Sequence, residues 1–359
     1  MSTQPERHRP TIRDVATAAG VSRATVSRVL NGGHWVSPEA AGRVQAAVRE
    51  TGYVANVHAR GLAMGRANSV AFLLGEPQRL LFEDPNFATL LRSVADELGR
   101  RRLSFILMTT DNPQEEARNL AYLQAGHADG VLLVSWHAGA ARLIRSLVAA
   151  QVPTVVAEQP PRRSAGVGYV HVDDFESARM AAQCLVSAGA QRIAMIAGPK
   201  GPSGTGDRIA GFLDVVGQDY DRGLIVHGDY SSASGEDAAQ RLLDDPRYSR
   251  PNGRPAVDGI FASSDAMAAG ALKVIRERGW LVPDDIQLIG FDDSPFATIT
   301  DPPLTTIRQP FEEIGRRMVV QLVDMIDGGP CVGTVLTTTL VERGSTRAQA
   351  SVVPATSVE

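Results

Sequence analysis

The sequence predicts an N-terminal all-α helix-turn-helix domain followed by a larger α/β core of two doubly wound parallel-sheet lobes. Two short amphipathic helices, parted by one glycine-valine step, lie within the first thirty residues. From Ser69 onward, strand-length apolar runs alternate with amphipathic helical stretches, the pattern of parallel sheets covered on both faces. The 359 residues exceed one ordinary domain and suit two or three compact units.

The head comes first. Thr11-Ile-Arg-Asp14 reads as a helix start, with Thr11 able to cap and Asp14 able to return the bond. That helix runs to about Ala19 and stops at Gly20, which takes the positive φ of a tight turn. A second helix opens at Ser22, another N-cap, and carries Val26, Val29 and Leu30 on one face. Ala16 is small where the helices cross, so Val15, Val21, Val26 and Val29 can meet in a small core. In a helix-turn-helix the second helix is placed to enter a DNA major groove.

The outward face of that helix holds Arg23, Thr25, Ser27 and Arg28, with Ala24 beside them. Arginine bonds two guanine acceptors at once, and an Ala or Thr methyl touches the thymine methyl. Hydroxyls near a helix start suit phosphates. The alternative is an ordinary helical hairpin with a solvated arginine face. A third helix follows Ser37-Pro38-Glu39 and ends at Gly52-Tyr53.

Charge is unevenly divided. Residues 1–67 hold nine Arg, no Lys and four acidic residues, a balance of +5, while the remaining 27 basic and 36 acidic residues give -9. A basic head on an acidic body suits a polyanionic partner for the head alone. Cys184 and Cys331 form no CxxC pair, so neither a disulfide framework nor a zinc site is indicated, and both read as small buried residues. No secretory signal follows the opening MSTQPERHRP, and apolar runs such as Val131–Val134 fall far short of a membrane span. A cytoplasmic protein with no membrane partner is expected.

In the core, strands are expected at Val70–Leu74, Ser104–Met108, Val131–Val134, Thr154–Val156, Tyr169–Val172, Arg192–Ile196, Leu224–His227, Gly259–Ala262 and Gln287–Gly290. Helices between them include Phe87–Arg101, Phe175–Ser187, Thr205–Val215 and Asp265–Glu277. Ligands in such sheets bind beyond the carboxyl ends of the strands, so two facing lobes create a cleft. The loop Gly198–Gly206 is glycine-rich but lacks the spacing and lysine of a phosphate loop.

The run TIRDVATAAGVSRATVSRVLNG, then VSPEAAGRVQAAVRETGY, then NVHARGLAMG, closely resembles the lactose-repressor (LacI/GalR) regulators across residues 11–65. The resemblance implies that Arg23, Ala24 and Arg28 read bases. It implies too that a hinge at Asn56–Ala63 folds on DNA, with Leu62 wedged into the minor groove. Asn56 can cap such a helix and Leu62 is an apolar wedge, while Gly61 and the short length keep it unfolded without DNA. Ala55 stands where many members have proline. The expected DNA-facing set is Thr11, Ser22, Arg23, Ala24, Thr25, Ser27, Arg28, Asn31, Asn56, Ala59, Arg60 and Leu62.

The resemblance extends through the core and implies the fold of periplasmic sugar-binding proteins, with three chain crossings near residues 165, 292 and 329. It also implies effector contacts at Asn86, Phe87, Arg208, Asp265 and Asp292. An arginine fork and carboxylates suit vicinal hydroxyls or a carboxylate, and a phenylalanine face suits a ring. Glu158, where many members have Asp, and Trp136, in an unusual aromatic pair, are added as residues that reshape the pocket.

The expected layout is a disordered extension over 1–10, the helix-turn-helix domain over 11–55, a hinge over 56–67 and the core over 68–346. Lobe 1 takes about 68–165 and 293–329, lobe 2 about 166–292 and 330–346, and a flexible tail spans 347–359. That tail lacks leucine heptads, so a homodimer rather than a tetramer is indicated. The function expected is a repressor of transcription. It binds near-palindromic double-stranded operator DNA under the control of a small-molecule effector, a sugar or sugar derivative, with no cofactor and no metal. The core alone would also suit a solute receptor, which the missing signal and basic head oppose. An enzyme is opposed by the lack of HExxH, GxSxG and GxxxxGK[ST].

Overall fold

The computed structural model describes residues 10–30, 35–53, 66–75, 78–110, 112–134, 140–158, 166–201, 203–217, 219–248 and 254–348. Asn31, the hinge positions Asn56, Ala59, Arg60 and Leu62, and Trp136 lie outside the described residues, as do most of the expected terminal extension and tail. The chain divides near Asn68 into two compact units.

In the first unit, α1 (Ile12–Ala19) starts as its sequence dictates. The Asp14 carboxylate accepts from the Thr11 backbone N–H at 2.7 Å and from its hydroxyl at 2.8 Å. Gly20, at φ 62°, ends the helix. Ser22 opens α2 (Arg23–Leu30) by accepting from the Thr25 N–H at 3.1 Å. Ser37 does the same for α3 (Pro38–Thr51), accepting from Ala40 at 3.2 Å, and Gly52 closes it at φ 66°. Val15, Ala16, Ala19, Val26, Val44 and Ala47 are buried where the three helices meet, with Val21 and Val29 packed against them.

The second unit holds two six-stranded sheets. The first runs β11-β5-β4-β3-β1-β2, from β1 (Ser69–Leu74), β2 (Ser104–Thr109), β3 (Gly130–Val134), β4 (Thr154–Val156), β5 (Gly168–Val172) and β11 (Gly333–Leu336), with every pairing parallel. The second runs β12-β10-β9-β8-β6-β7, from β6 (Ile193–Ala197), β7 (Ile225–His227), β8 (Gly259–Ala262), β9 (Gln287–Asp292), β10 (Thr305–Arg308) and β12 (Thr339–Val341). It is parallel except at its edge, where β12 lies antiparallel to β10. The nine expected strands all form, with ends moved by at most two residues.

Ten described helices follow in chain order: α4 (Gln78–Glu83), α5 (Pro85–Arg100), α6 (Pro113–Gln124), α7 (Ala140–Ala149), α8 (Asp174–Ser187), α9 (Ser203–Val216), α10 (Ser232–Asp244), α11 (Asp265–Glu277), α12 (Pro295–Ile299) and α13 (Phe311–Ile326). Alternation along the second sheet explains its two covered faces. Ala194 and Ile196 of β6 point into one core, with α10 and α11, while Ile193, Met195 and Ala197 point into the other, with α8 and α9. Helix pairs approach to backbone contact on each side. A Cβ on Gly211 would lie 2.0 Å from the Phe175 carbonyl, and one on Gly270 would lie 2.0 Å from that of Ser232. The first lobe packs α5 and α13 on its sheet through Phe87, Leu90, Val94, Ile314, Met318 and Leu322.

Two expectations are corrected here. The chain passes between sheets after Val172, after Arg308 and after Leu336, rather than near 165, 292 and 329. The crossings implied by the resemblance each fall one strand too early, so β5 and β11 join the first sheet and β10 the second. Cys184 is buried as expected, whereas Cys331 is exposed in the segment between α13 and β11.

Candidate functional site

Most of the described DNA-facing residues expected in the first unit are exposed. Ser22, Arg23, Ala24 and Arg28 are exposed along α2 and its cap, and Thr11 is exposed at the start of α1. Thr25 and Ser27 are half-buried. The Thr25 hydroxyl shares a 2.9 Å hydrogen bond with Ser22, so it braces the cap as well as facing outward. Trp35, 91% exposed just before α3, was missed by the sequence reading. A large aromatic left open on a small basic unit was its available signal.

In the second unit a cleft open to solvent lies between the two lobes, at the strand ends where such sheets bind small molecules. Its lining comes from loops beyond strand carboxyl ends: Asp84 and Asn86 after β1, Glu158 after β4, and Asp174 after β5. Thr205 and Arg208 follow β6, Tyr230 follows β7, Ser263 follows β8, and Gln309 and Phe311 follow β10. Asp292 closes β9, and His171 lies within β5.

Of the expected effector residues, Asn86, Glu158, Arg208 and Asp292 are brought together. Asp292 takes φ 108°, a left-handed conformation unusual for a non-glycine residue, which turns it at the strand end. Its carboxylate accepts from Asn86 Nδ2 at 3.1 Å and from Gln309 Nε2 at 2.6 Å. Burial, and then the neighbouring Asp265 carboxylate, hold its pKa well above the usual range. Asp84 caps α5 by accepting from the Asn86 N–H at 2.9 Å, and burial raises its pKa also.

Arg208 is buried and held from several sides. Its Nε donates to Asp174 Oδ1 at 2.7 Å and its Nη1 donates to the Ser263 carbonyl at 2.9 Å. The guanidinium lies 3.7 Å from the Phe291 ring centroid. Across the cleft, the Gly204 N–H at the start of α9 donates to Glu158 Oε1 at 3.4 Å. Thr205 and Tyr230 share a hydroxyl hydrogen bond of 3.1 Å.

Two expected residues are not in the cleft. Phe87 is 1% exposed within the first lobe's core, because the helical period carries it inward beside Leu90 and Val94. Asp265 is wholly buried, and its carboxylate accepts from Thr306 Oγ1 at 2.6 Å and the Ser294 N–H at 2.7 Å. Burial pushes its pKa up to about 7. It braces the loop that carries Asp292 rather than facing the opening. Asp84, His171, Asp174, Thr205, Tyr230, Ser263, Gln309 and Phe311 were missed. All but His171 stand within a dozen residues after a strand end, which a systematic reading of those loops would have flagged.

Among the described residues no helix is long and apolar enough to cross a membrane, and no group of three or more His, Cys, Asp and Glu could hold a metal ion.

Comparison with known proteins agrees with both halves of this architecture. Residues 11–56 match the family described as bacterial regulatory proteins, lacI family, and residues 182–346 match the periplasmic binding protein-like domain. The HTH-type transcriptional regulator CelR of Thermobifida fusca is 39% identical, over 94% of this chain and 99% of the relative. The ribose operon repressor of Halalkalibacterium halodurans is 33% identical over 89% of this chain and 91% of its own length. Among solved structures, the transcriptional regulator CelR-cellobiose complex superposes with a TM-score of 0.72 at 38% identity, covering 94% of this chain and all of that one. The lac repressor dimer bound to operator and the anti-inducer ONPF gives a TM-score of 0.80 at 24% identity over 95% of this chain and 100% of that one, a likeness of fold. With a helix-turn-helix head joined to a two-lobed core along almost its whole length, the chain belongs to the lacI family of bacterial regulatory proteins and is a DNA-binding transcriptional regulator.

Proposed function

We propose that the chain is a cytoplasmic repressor whose homodimer grips a near-palindromic operator and changes that grip when a saccharide enters the interlobe cleft. The observation that carries the reading is the cleft itself, closed across its two sides by Asn86 to Asp292 and by Gly204 to Glu158. A polyol offers hydroxyls that replace both contacts, so the bound and empty lobes have different reasons to sit together. The CelR relative forms a complex with cellobiose, which favours a sugar as the occupant.

In this scheme Arg23, Ala24 and Arg28 read base edges, and the Ser22 end of α2 and Thr11 meet phosphate. A two-fold dimer presents two equivalent reading helices, hence the near-palindrome. Asn86, Glu158, Asp292 and Gln309 hold the effector, and Arg208 shapes the wall through Asp174. The hinge at 56–67 transmits lobe movement to the heads. The role is binding and regulation, not catalysis. Selection from random double-stranded oligonucleotides, with and without added saccharides, tests the reading. Enrichment of an inverted repeat is expected, and enrichment of no sequence under either condition sinks it.

A further inference from the structure

Acidic groups outnumber basic ones in the cleft. Asp84, Glu158, Asp174 and Asp292 line it, the first and last with pKa raised by burial, together with His171, and Arg208 is the one lysine or arginine among the described lining residues. Two features there would ordinarily draw an anion, and each is already filled by the protein's own carboxylate. The Arg208 guanidinium holds Asp174 at 2.7 Å. The first turn of α9, a 14-residue helix whose N-terminal N–H groups favour negative charge, faces Glu158, which accepts from Gly204 at 3.4 Å. Asp174 crowds the same turn, since a Cβ on Gly204 would stand 2.8 Å from its Oδ2. A phosphate or carboxylate entering here would find its two natural sites taken by Asp174 and Glu158.

A neutral polyol meets the opposite situation. Each hydroxyl can donate to a carboxylate without bringing charge. Ser263 adds a second, independent sign of a ligand. It is 1% exposed, lines the cleft and has its carbonyl pinned by Arg208, yet its hydroxyl has no hydrogen-bond partner among the described residues. A buried hydroxyl left unpaired costs roughly 1–3 kcal/mol. A ligand hydroxyl within reach would remove that cost.

We infer that the cleft accepts neutral, unphosphorylated saccharides and rejects their phosphorylated or carboxylated derivatives, with Glu158 and Asp174 as the excluding charges and Ser263 as a ligand contact. This rests on the saccharide-effector reading and narrows it.

Calorimetric titration of the full-length protein with matched pairs tests it: cellobiose against cellobionate and cellobiose 6′-phosphate, and ribose against ribose 5-phosphate. The neutral member of a pair is expected to bind about 100-fold more tightly, the effect of one like-charge contact at about 6 Å in an effective dielectric of about 20. Glu158→Gln, which frees the α9 terminus, should narrow that gap about tenfold. Ser263→Ala should weaken the neutral ligand while leaving the gap unchanged. An anionic member binding as tightly as its neutral partner, or an unchanged gap in Glu158→Gln, overturns the inference and leaves the saccharide effector standing. Binding by no member of any pair overturns both.

Discussion

Replacing Arg208 by alanine strips the cation from a pair whose side chains are each only 11% exposed. Asp174 is then left as a largely buried carboxylate near other carboxylates. Removing one partner of a buried pair costs about 3–5 kcal/mol, because the remaining charge cannot be rehydrated. The Ser263 carbonyl also loses its 2.9 Å donor, worth about 1 kcal/mol. A loss of about 4–6 kcal/mol corresponds to a fall in Tm of roughly 8–24 °C for a lobe of this size. The double variant Arg208→Ala, Asp174→Asn removes the stranded charge and should recover most of that loss, though not the stacking on Phe291. Thermal unfolding of the full chain by circular dichroism reads both. If the single variant loses under about 1 kcal/mol, or the double is no more stable than the single, the pair does not brace the cleft wall.

Further outcomes follow from the same geometry. Asp265, with a pKa of about 7 in the folded chain against 3.8 unfolded, keeps a proton that the unfolded chain gives up between those values. Folded-state stability therefore falls as pH rises from about 4 to about 7, by at most about 4 kcal/mol. Asp292 adds a slope of the same sign. Asp265→Asn should make the stability-pH curve shallower in urea unfolding, and an unchanged slope would remove Asp265 as its source. Arg28→Ala should weaken operator binding by about 1–3 kcal/mol per base contact with saccharide affinity intact; parallel loss of both would count against separate sites. Gly270→Ala forces α10 and α11 apart and should cost at least about 1–3 kcal/mol by the same unfolding assay, so wild-type stability would contradict the close approach.

The head was legible almost residue by residue, because its information is local. Caps at Thr11, Ser22 and Ser37 and stops at Gly20 and Gly52 each lie within one turn of what they control. Buried parallel strands were legible as continuous apolar runs, as in β1, which is buried at every residue. The threonine-rich β10 and the edge strands β11 and β12 escaped, since their stability comes from partners distant in sequence. Thr305 and Thr306, for instance, are fully buried only because Ser345, Thr346 and Asp265 satisfy their polar atoms. The cleft was legible in outline and misread in detail for the same reason. Asp265 and Asp292 are both acidic residues near strand ends, and only the fold decides that Thr306 and Ser294 engage the first while the second lines the opening.

The proposed regulation requires that cleft and DNA-reading head share one equilibrium. Its most direct measurement is operator affinity by fluorescence anisotropy with and without a saturating saccharide, alongside saccharide affinity with and without operator. The two ratios should be equal and differ from one, as reciprocal linkage requires. Operator affinity that stays the same when the cleft is filled would contradict the account.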